Sequence, residues 1–406
     1  MFYASRRADG ARLAAPTIGG VATLVLISAA ILGFVTAITM VGPLLLDLSR
    51  ELGVALGQAG LLAAAMSLPW ALGAPFTGLL SDRLGRRPLI VLALAGIGLS
   101  TIAAAFATSF LMLLLARFAA GVFGAFGPAS VMAAVGDLYP PQRRGMAMGW
   151  LNAGFGLAAV AGVPAVGVVD GLFGWRWAFA ATGGVLLVLA GLFHAAFPSS
   201  RPTHAGSSLR QTYTAVLGTP LLGNVLTANL LERSIFNAAV LYLPPFLMLS
   251  YGLTAADVAP ALALVAIGTI VGNTLGGWLG DRYHGPRAAI FVCAQLLAGS
   301  LGLVLFGIAP GLVVSVVLGA SFGLANATSR PAFLALGSEL SPRYRGALLG
   351  LLSLTNQGGA VLGSSLGGLA IGLGSYTTLA VLALCGGLGA AALALPLARV
   401  KLPREV

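Results

Sequence analysis

The stretch GLLSDRLGRR at residues 78–87 recurs as GGWLGDRYHGPR at 276–287, with Gly78 aligned on Gly277 and Asp82 on Asp281. The interval from Gly53 to Asp82 equals that from Gly252 to Asp281, with no insertion. A second motif, DLYPPQRRG at 137–145, recurs as ELSPRYRG at 339–346, at nearly the same offset and one residue shorter. One echo is compatible with chance; two in the same order mark an internal duplication. In an apolar chain, duplicated halves are the sequence sign of a secondary transporter, with its site near midplane where the halves meet.

Composition supplies the apolar chain. Of 406 residues, 58% are hydrophobic and 8% charged, with mean hydropathy +0.97. A soluble domain carries about 45–50% and 25%, so this chain has too little polar surface for a water-soluble fold of its size. The net charge of +11 would suit nucleic acid, but the basic residues stand in ones to threes between long apolar runs. That pattern fits the cytoplasmic loops of a membrane protein better than a phosphate-binding face. Cys293 and Cys385 lie in apolar segments and read as packing residues; no CxxC or histidine cluster points to a metal. No cofactor is expected, and no nucleophile–base constellation points to an enzyme. The start MFYASRRADGAR resembles the charged head of a signal peptide, but the apolar run that follows, Gly19 to Leu46, exceeds the roughly 7–15 residues of such a peptide. It suffices for a spanning helix.

Charges and turn residues cut the chain into twelve apolar segments, near 19–47, 56–78, 88–107, 109–133, 146–169, 176–197, 220–249, 255–279, 288–308, 311–334, 346–371 and 376–397. The expected fold is therefore an all-α membrane protein: a six-helix bundle over 1–197, a polar linker over 198–219, and a second bundle over 220–406. With both termini cytoplasmic, seventeen basic residues fall on the inner side, against Arg50 and Arg176 outside. Arginine outnumbers lysine 21 to 1, and the Ala/Gly/Leu bias suggests a GC-rich bacterium and its inner membrane.

The run G-x-x-x-D-R-x-G-R-R, built here from Gly78, Asp82, Arg83, Gly85, Arg86 and Arg87, resembles the signature of the major facilitator superfamily. Its second copy (Gly277, Asp281, Arg282) and the R-G pairs after the fourth and tenth segments agree with it, and Arg117-x-x-x-Gly121 resembles that family's second motif. The resemblance implies a cytoplasmic latch: Asp82 facing the start of the eleventh helix and Arg86 engaging Asp137. The bland alternative is that these arginines only set topology. His284 and Pro286 replace the usual basic residues in the second copy, which implies a weaker latch there. GLAAVAGVPAVGVV in the fifth segment, with Gly162, Pro164 and Gly167, is similar in relaxed form to the family's antiporter motif, and GWRWAF at 174–179 is similar to its exporters.

On the fourth segment Arg117, Gly121, Gly124 and Pro128 fall on one helical face, where glycines permit close approach. A charge as deep as Arg117 is costly and is either functional or bonded to backbone carbonyls. Of eleven acids, Glu232 alone lies well inside a span. Asn229, Glu232, Arg233, Phe236 and Asn237 share a face too polar for lipid. Burial favours the protonated carboxyl and a nearby arginine the ionised one, the balance that proton coupling needs. Arg117 and Arg330 are the expected partners of Glu232, because adjacent side chains such as Arg233 face apart. A permanent ion pair that only fixes packing is the alternative. Three buried arginines against one glutamate favour an anionic substrate. Thr36, Thr39, Tyr242, Asn326 and Gln357 are further candidates for the cavity wall, as are Asn152 and Asn356.

The function expected is a secondary transporter that exports small organic molecules by proton antiport and alternating access. Its partners would be a small-molecule substrate, protons and the lipid bilayer, with no nucleic acid, and it would act as a monomer. An organic-anion importer or uniporter of the same fold is the first alternative. A non-transporting membrane sensor is the second.

Overall fold

The computed structural model describes residues 20–198, 214, 216–282, 287–340 and 345–399, and among them it is helical with no strand. The first half runs α1 (Val21–Thr39), α2 (Val41–Glu51), α3 (Leu56–Ala59), α4 (Leu61–Leu84), α5 (Arg86–Ala105), α6 (Phe110–Gly124), α7 (Gly127–Leu138), α8 (Pro141–Leu157), a π-helical turn (Ala158–Gly162), α9 (Val163–Phe173) and α10 (Trp175–Ala196). The second runs α11 (Leu222–Tyr251), α12 (Ala255–Arg282), α13 (Arg287–Ile308), α14 (Leu312–Leu340), α15 (Arg345–Leu373) and α16 (Tyr376–Ala394). Each of the twelve apolar segments is met by helix. Among the described residues eleven helical stretches are long and apolar enough to cross a membrane. The 29-residue α15 is not among them, because Asn356, Gln357, its serines and its glycines dilute its apolar content.

The first half is broken where proline removes a backbone donor. Pro43 cannot serve the carbonyl of Thr39, and α1 gives way to α2 at Met40. Pro128 cannot serve Gly124, and α6 yields to α7 across Ala125 and Phe126. The face shared by Arg117, Gly121 and Gly124 therefore ends at Gly124, with Pro128 beyond the break. Pro164 follows the π turn, in which the Val163 N–H donates five residues back to the Ala158 carbonyl. Single π turns of this kind concentrate at functional sites.

Alternating helix directions bring the α4–α5 junction and the end of α12, where the repeated motif stands, to one end of the bundle, the motif end. At the opposite end one buried core joins both halves: Met40, Leu44 and Leu62 with Tyr242, Phe246 and Val258. Toward the motif end each half keeps its own core, around Ile31, Ile90 and Phe193 in the first and around Val225, Phe291 and Phe333 in the second. Among the described residues, the buried core shared by the two halves, their weld, lies at that opposite end.

Glycine makes the weld. A methyl group on Gly57 would overlap the backbone of Gly368, and one on Gly368 would overlap that of Gly57. One on Gly60 would overlap the Tyr242 hydroxyl. Inside the first half, Gly121 lies against the Met66 carbonyl and Gly124 against the Trp70 ring, so α4 and α6 approach closely. Gly162 lies on the Thr36 hydroxyl, and Gly167 within 2.9 Å, for an added methyl, of the Ala255 carbonyl oxygen. Gly121→Ala should lower thermal stability in detergent by about 1–3 kcal/mol, since rigid backbone blocks the added carbon. Gly184→Ala, with open space around it, should be neutral or stabilising by up to about 1 kcal/mol.

Candidate functional site

Three helices of the second half bring a polar cluster together. α11 supplies Glu232, Arg233 and Phe236, α14 supplies Asn326 and Arg330, and α15 supplies Asn356. Glu232 is 1% exposed. Its carboxylate accepts from both Nε and Nη2 of Arg233, a two-point pair. Nη2 of Arg233 also donates to Asn326 Oδ1 at 2.9 Å, and its guanidinium lies 4.6 Å from the centre of the Phe236 ring. Arg330 donates through Nη1 to Asn356 Oδ1 at 3.3 Å. It is close enough to Glu232 and Arg233 to feel both charges, but among the described residues it forms no ion pair.

This corrects the expected partnership. Glu232 pairs with Arg233, its neighbour in sequence, and with neither Arg117 nor Arg330. Adjacent side chains leave a helix about 100° apart, yet both are long enough to converge inside one seam, where Asn326 and Phe236 hold the guanidinium between them. A charge buried without a partner would cost far more than this bend of the side chains.

Arg117 is fully buried elsewhere. It donates to the carbonyls of Ala37 at 2.9 Å and Ile38 at 3.5 Å, beside the α1–α2 break, and stands 6.0 Å from the Phe179 ring centre. Among its described partners there is no acid. The arrangement is that of a structural arginine closing orphan carbonyls.

The remaining cavity candidates divide. Tyr242 donates to the Ser364 carbonyl at 2.8 Å and fills the weld between the halves. Asn229 ties α11 to α15 through the Thr355 hydroxyl at 2.8 Å and the Leu352 carbonyl at 3.3 Å. Asn237 donates to the Arg233 carbonyl and Thr39 to that of Val35, both within their own helices. Thr36 Oγ1, Asn326 Nδ2 and Gln357 Nε2 are buried polar atoms with no protein partner. Sequence reasoning missed Gln295, whose Nε2 donates to Ser329 Oγ at 2.9 Å behind the cluster; a glutamine on a glycine-rich span carried no signal.

At the motif end, Nε of Arg86 donates to Asp137 Oδ2 at 2.9 Å and its Nη1 to Ser81 Oγ at 2.8 Å. Arg87 reaches the His194 carbonyl. Gly85 takes φ +88° between α4 and α5, a conformation that suits glycine. Arg144 donates to the carbonyls of Tyr139 and Gly136, closing the end of α7. The side chain of Asp82 lies outside the described residues, as do His284 and Pro286. Asp281 and Arg282 end α12 exposed, with Arg282 5.8 Å from the Trp278 ring centre, and Gly277 faces open space.

At the opposite end the GWRWAF run has a structural role. Trp175 Nε1 and Arg176 both donate to Glu51, and Arg176 also reaches the Ala107 carbonyl at 3.2 Å. The two residues pin α2 to the start of α10.

Removing Arg233 would strand the Glu232 charge. Arg233→Ala should destabilise the protein by about 3–5 kcal/mol. Adding Glu232→Gln should recover part of that loss, as read by thermal unfolding in a double-mutant cycle.

Comparisons with known proteins follow the same lines. The family model of the Major Facilitator Superfamily matches residues 25–363 and 225–406. The MFS-type transporter YceJ of Bacillus subtilis is 27% identical over 334 residues, 81% of this chain and 84% of its own. A chloramphenicol resistance protein of Streptomyces lividans is 30% identical over 277 residues, 68% of this chain and 70% of its own. A bacterial homolog of the human lysosomal transporter Spinster, solved inward-facing and unoccupied, superposes with TM-score 0.73 at 18% identity, covering 94% of this chain and 97% of that one. With its duplicated motifs, its all-helical fold and a family match across nearly its whole length, this chain belongs to the Major Facilitator Superfamily and is a membrane transporter, not an enzyme.

Proposed function

We propose that the protein exports small organic anions across a bacterial inner membrane in exchange for protons. In this reading α15 is the twelfth span, both termini and the motif end are cytoplasmic, and the chain acts as a monomer. The observation that carries the proposal is the cluster at Glu232. One carboxylate there faces two arginines, so the cluster has a net positive charge while Glu232 stays ionised. Arg330 has a single weak neutral partner, and Asn326 Nδ2 and Gln357 Nε2 are buried donors without acceptors. Donor-rich and positive, the site suits a carboxylate or a similar anion. Glu232, the carboxylate inside the cluster, is the proposed carrier of the exchanged proton.

Export rests on the name of the chloramphenicol resistance relative and on the antiporter-like glycine–proline pattern of the fifth segment. It is also favoured energetically. An outgoing monoanion exchanged for an incoming proton moves two charges down the membrane potential, worth about 2.3 kcal/mol per charge per 100 mV. The weld opposite the motif end would correspond to an inward-open state, and Arg86–Asp137 together with Asp82 would be the latch that closes the other side.

A second reading has its own support. The two-point Glu232–Arg233 pair is what a fixed structural pair would look like, and it would leave an uncoupled organic-anion carrier. Proteoliposomes separate the two. Export of an anionic probe should accelerate with an inward proton gradient. Glu232→Gln should abolish that acceleration while counterflow persists, and Arg330→Gln should lose anion counterflow at least tenfold. Full coupling in Glu232→Gln would leave the uncoupled carrier as the better reading.

A further inference from the structure

A second group of acids lies away from Glu232, at the end where the halves are welded. A cavity of about 610 Å³ opens there, lined among others by Asp47, Arg50, Glu51, Asp170, Trp175 and Thr254. Asp170 is 6% exposed, and its Oδ2 is buried with no hydrogen-bond donor. Asp170 shares that cavity with Asp47, from α2, whose carboxyl is near enough to interact with its own. Ionised carboxylates only accept hydrogen bonds, so two of them facing one cavity repel, and a proton held between them relieves that repulsion. The proton then belongs to the pair and not to either residue.

The other charged groups around the pair are accounted for. Glu51 of α2 is neutralised by Arg176 and Trp175 of α10. Asp257 of α12 accepts from Thr254 at its own helix start. Tyr251, closing α11, is bonded to Ser315. Arg50 lines the cavity, and among the described residues it forms no ion pair with either acid.

The position of the pair decides its consequence. Asp170 stands between Gly167 and Gly171, the two glycines by which α9 lies on α12. Added methyls there would come within 2.9 Å of the Ala255 carbonyl oxygen and of the Ala256 side chain, respectively. α2 packs on both α9 and α11. Two negative charges facing each other in this seam would push α2 and α9 apart, and so loosen α9 from the second half.

We propose that Asp47 and Asp170 form a proton-binding pair at the end opposite the motif loops, whose shared proton holds that end shut and whose release opens it. The site is separate from Glu232 and does not depend on the coupling proposed there. Infrared spectroscopy of the full-length protein in lipid should show a protonated-carboxyl band that fades as pH rises. The band should be absent in both Asp170→Asn and Asp47→Asn, and retained in Glu232→Gln. Spin labels at exposed Leu172 and Val313, with Cys293 and Cys385 replaced by serine, report the seam directly. In the otherwise unchanged protein their separation should lengthen by several ångströms as pH rises, and in Asp170→Asn it should stay short at every pH. If Asp170→Asn does not fold, Asp47→Asn should give the same flat profile. A band that both asparagine variants keep, a band lost only in Glu232→Gln, or a label distance that ignores pH in the unchanged protein would each overturn the proposal.

Discussion

The contact of glycine backbone with glycine backbone at Gly57 and Gly368 sets the shape of the whole molecule. In hydrocarbon no hydrophobic force drives one helix against another, and close packing of small residues takes its place. Where glycines line both helices, as at Gly57, Gly368 and Gly167, the halves share one core. Toward the motif end the cores are separate. The asymmetry between a welded end and a divided one is therefore written in the placement of side chains that are missing. Among the described residues no side-chain hydrogen bond or ion pair crosses this seam, so little directional bonding has to be broken to part it.

Charge is handled differently in the two halves. The first half buries Arg117 and directs its two terminal nitrogens to the carbonyls of Ala37 and Ile38, so the charge supports a proline break. The second half has no such break beside Arg233 and Arg330. There the only deep carboxylate neutralises one guanidinium, and the other is left with a single amide. A duplicated fold has thus divided its tasks: the first half provides the bent, glycine-lined frame, and the second half provides the charged cluster. The inequality of the two motif copies points the same way, with Arg86 engaged to Asp137 in the first.

Much of this was legible in the residues. Twelve segments and the duplication follow from local features, apolar run length, turn residues and a spaced motif, and the Arg86–Asp137 contact from the family resemblance of that motif. The depth of Glu232 was legible too, because counting residues from a helix end measures distance. Its partner was not. Rules for exposed helix surfaces say that neighbours face apart, but inside a seam the cost of an unpaired charge overrides that preference. Asp170 was passed over because it lies at a helix end, where acids are ordinarily solvated. Only the fold shows that Asp170 is buried where α2 and α12 meet α9, lining one cavity with Asp47.

Two carboxylate sites at different depths raise the question of how a proton would reach the inner one. When the end that holds Asp47 and Asp170 is shut, the core of Met40, Leu44, Tyr242 and Phe246 separates it from the Glu232 cluster. In the proposed cycle this largely apolar core would hinder proton exchange between the two sites while the weld holds. Parting the weld would remove that core from between them. Direct communication between the sites is then confined to the open state, and the same seam that blocks the substrate also blocks the proton. On the proposed reading such a carrier would need no separate proton channel, and the tightness of the glycine contacts would limit leak.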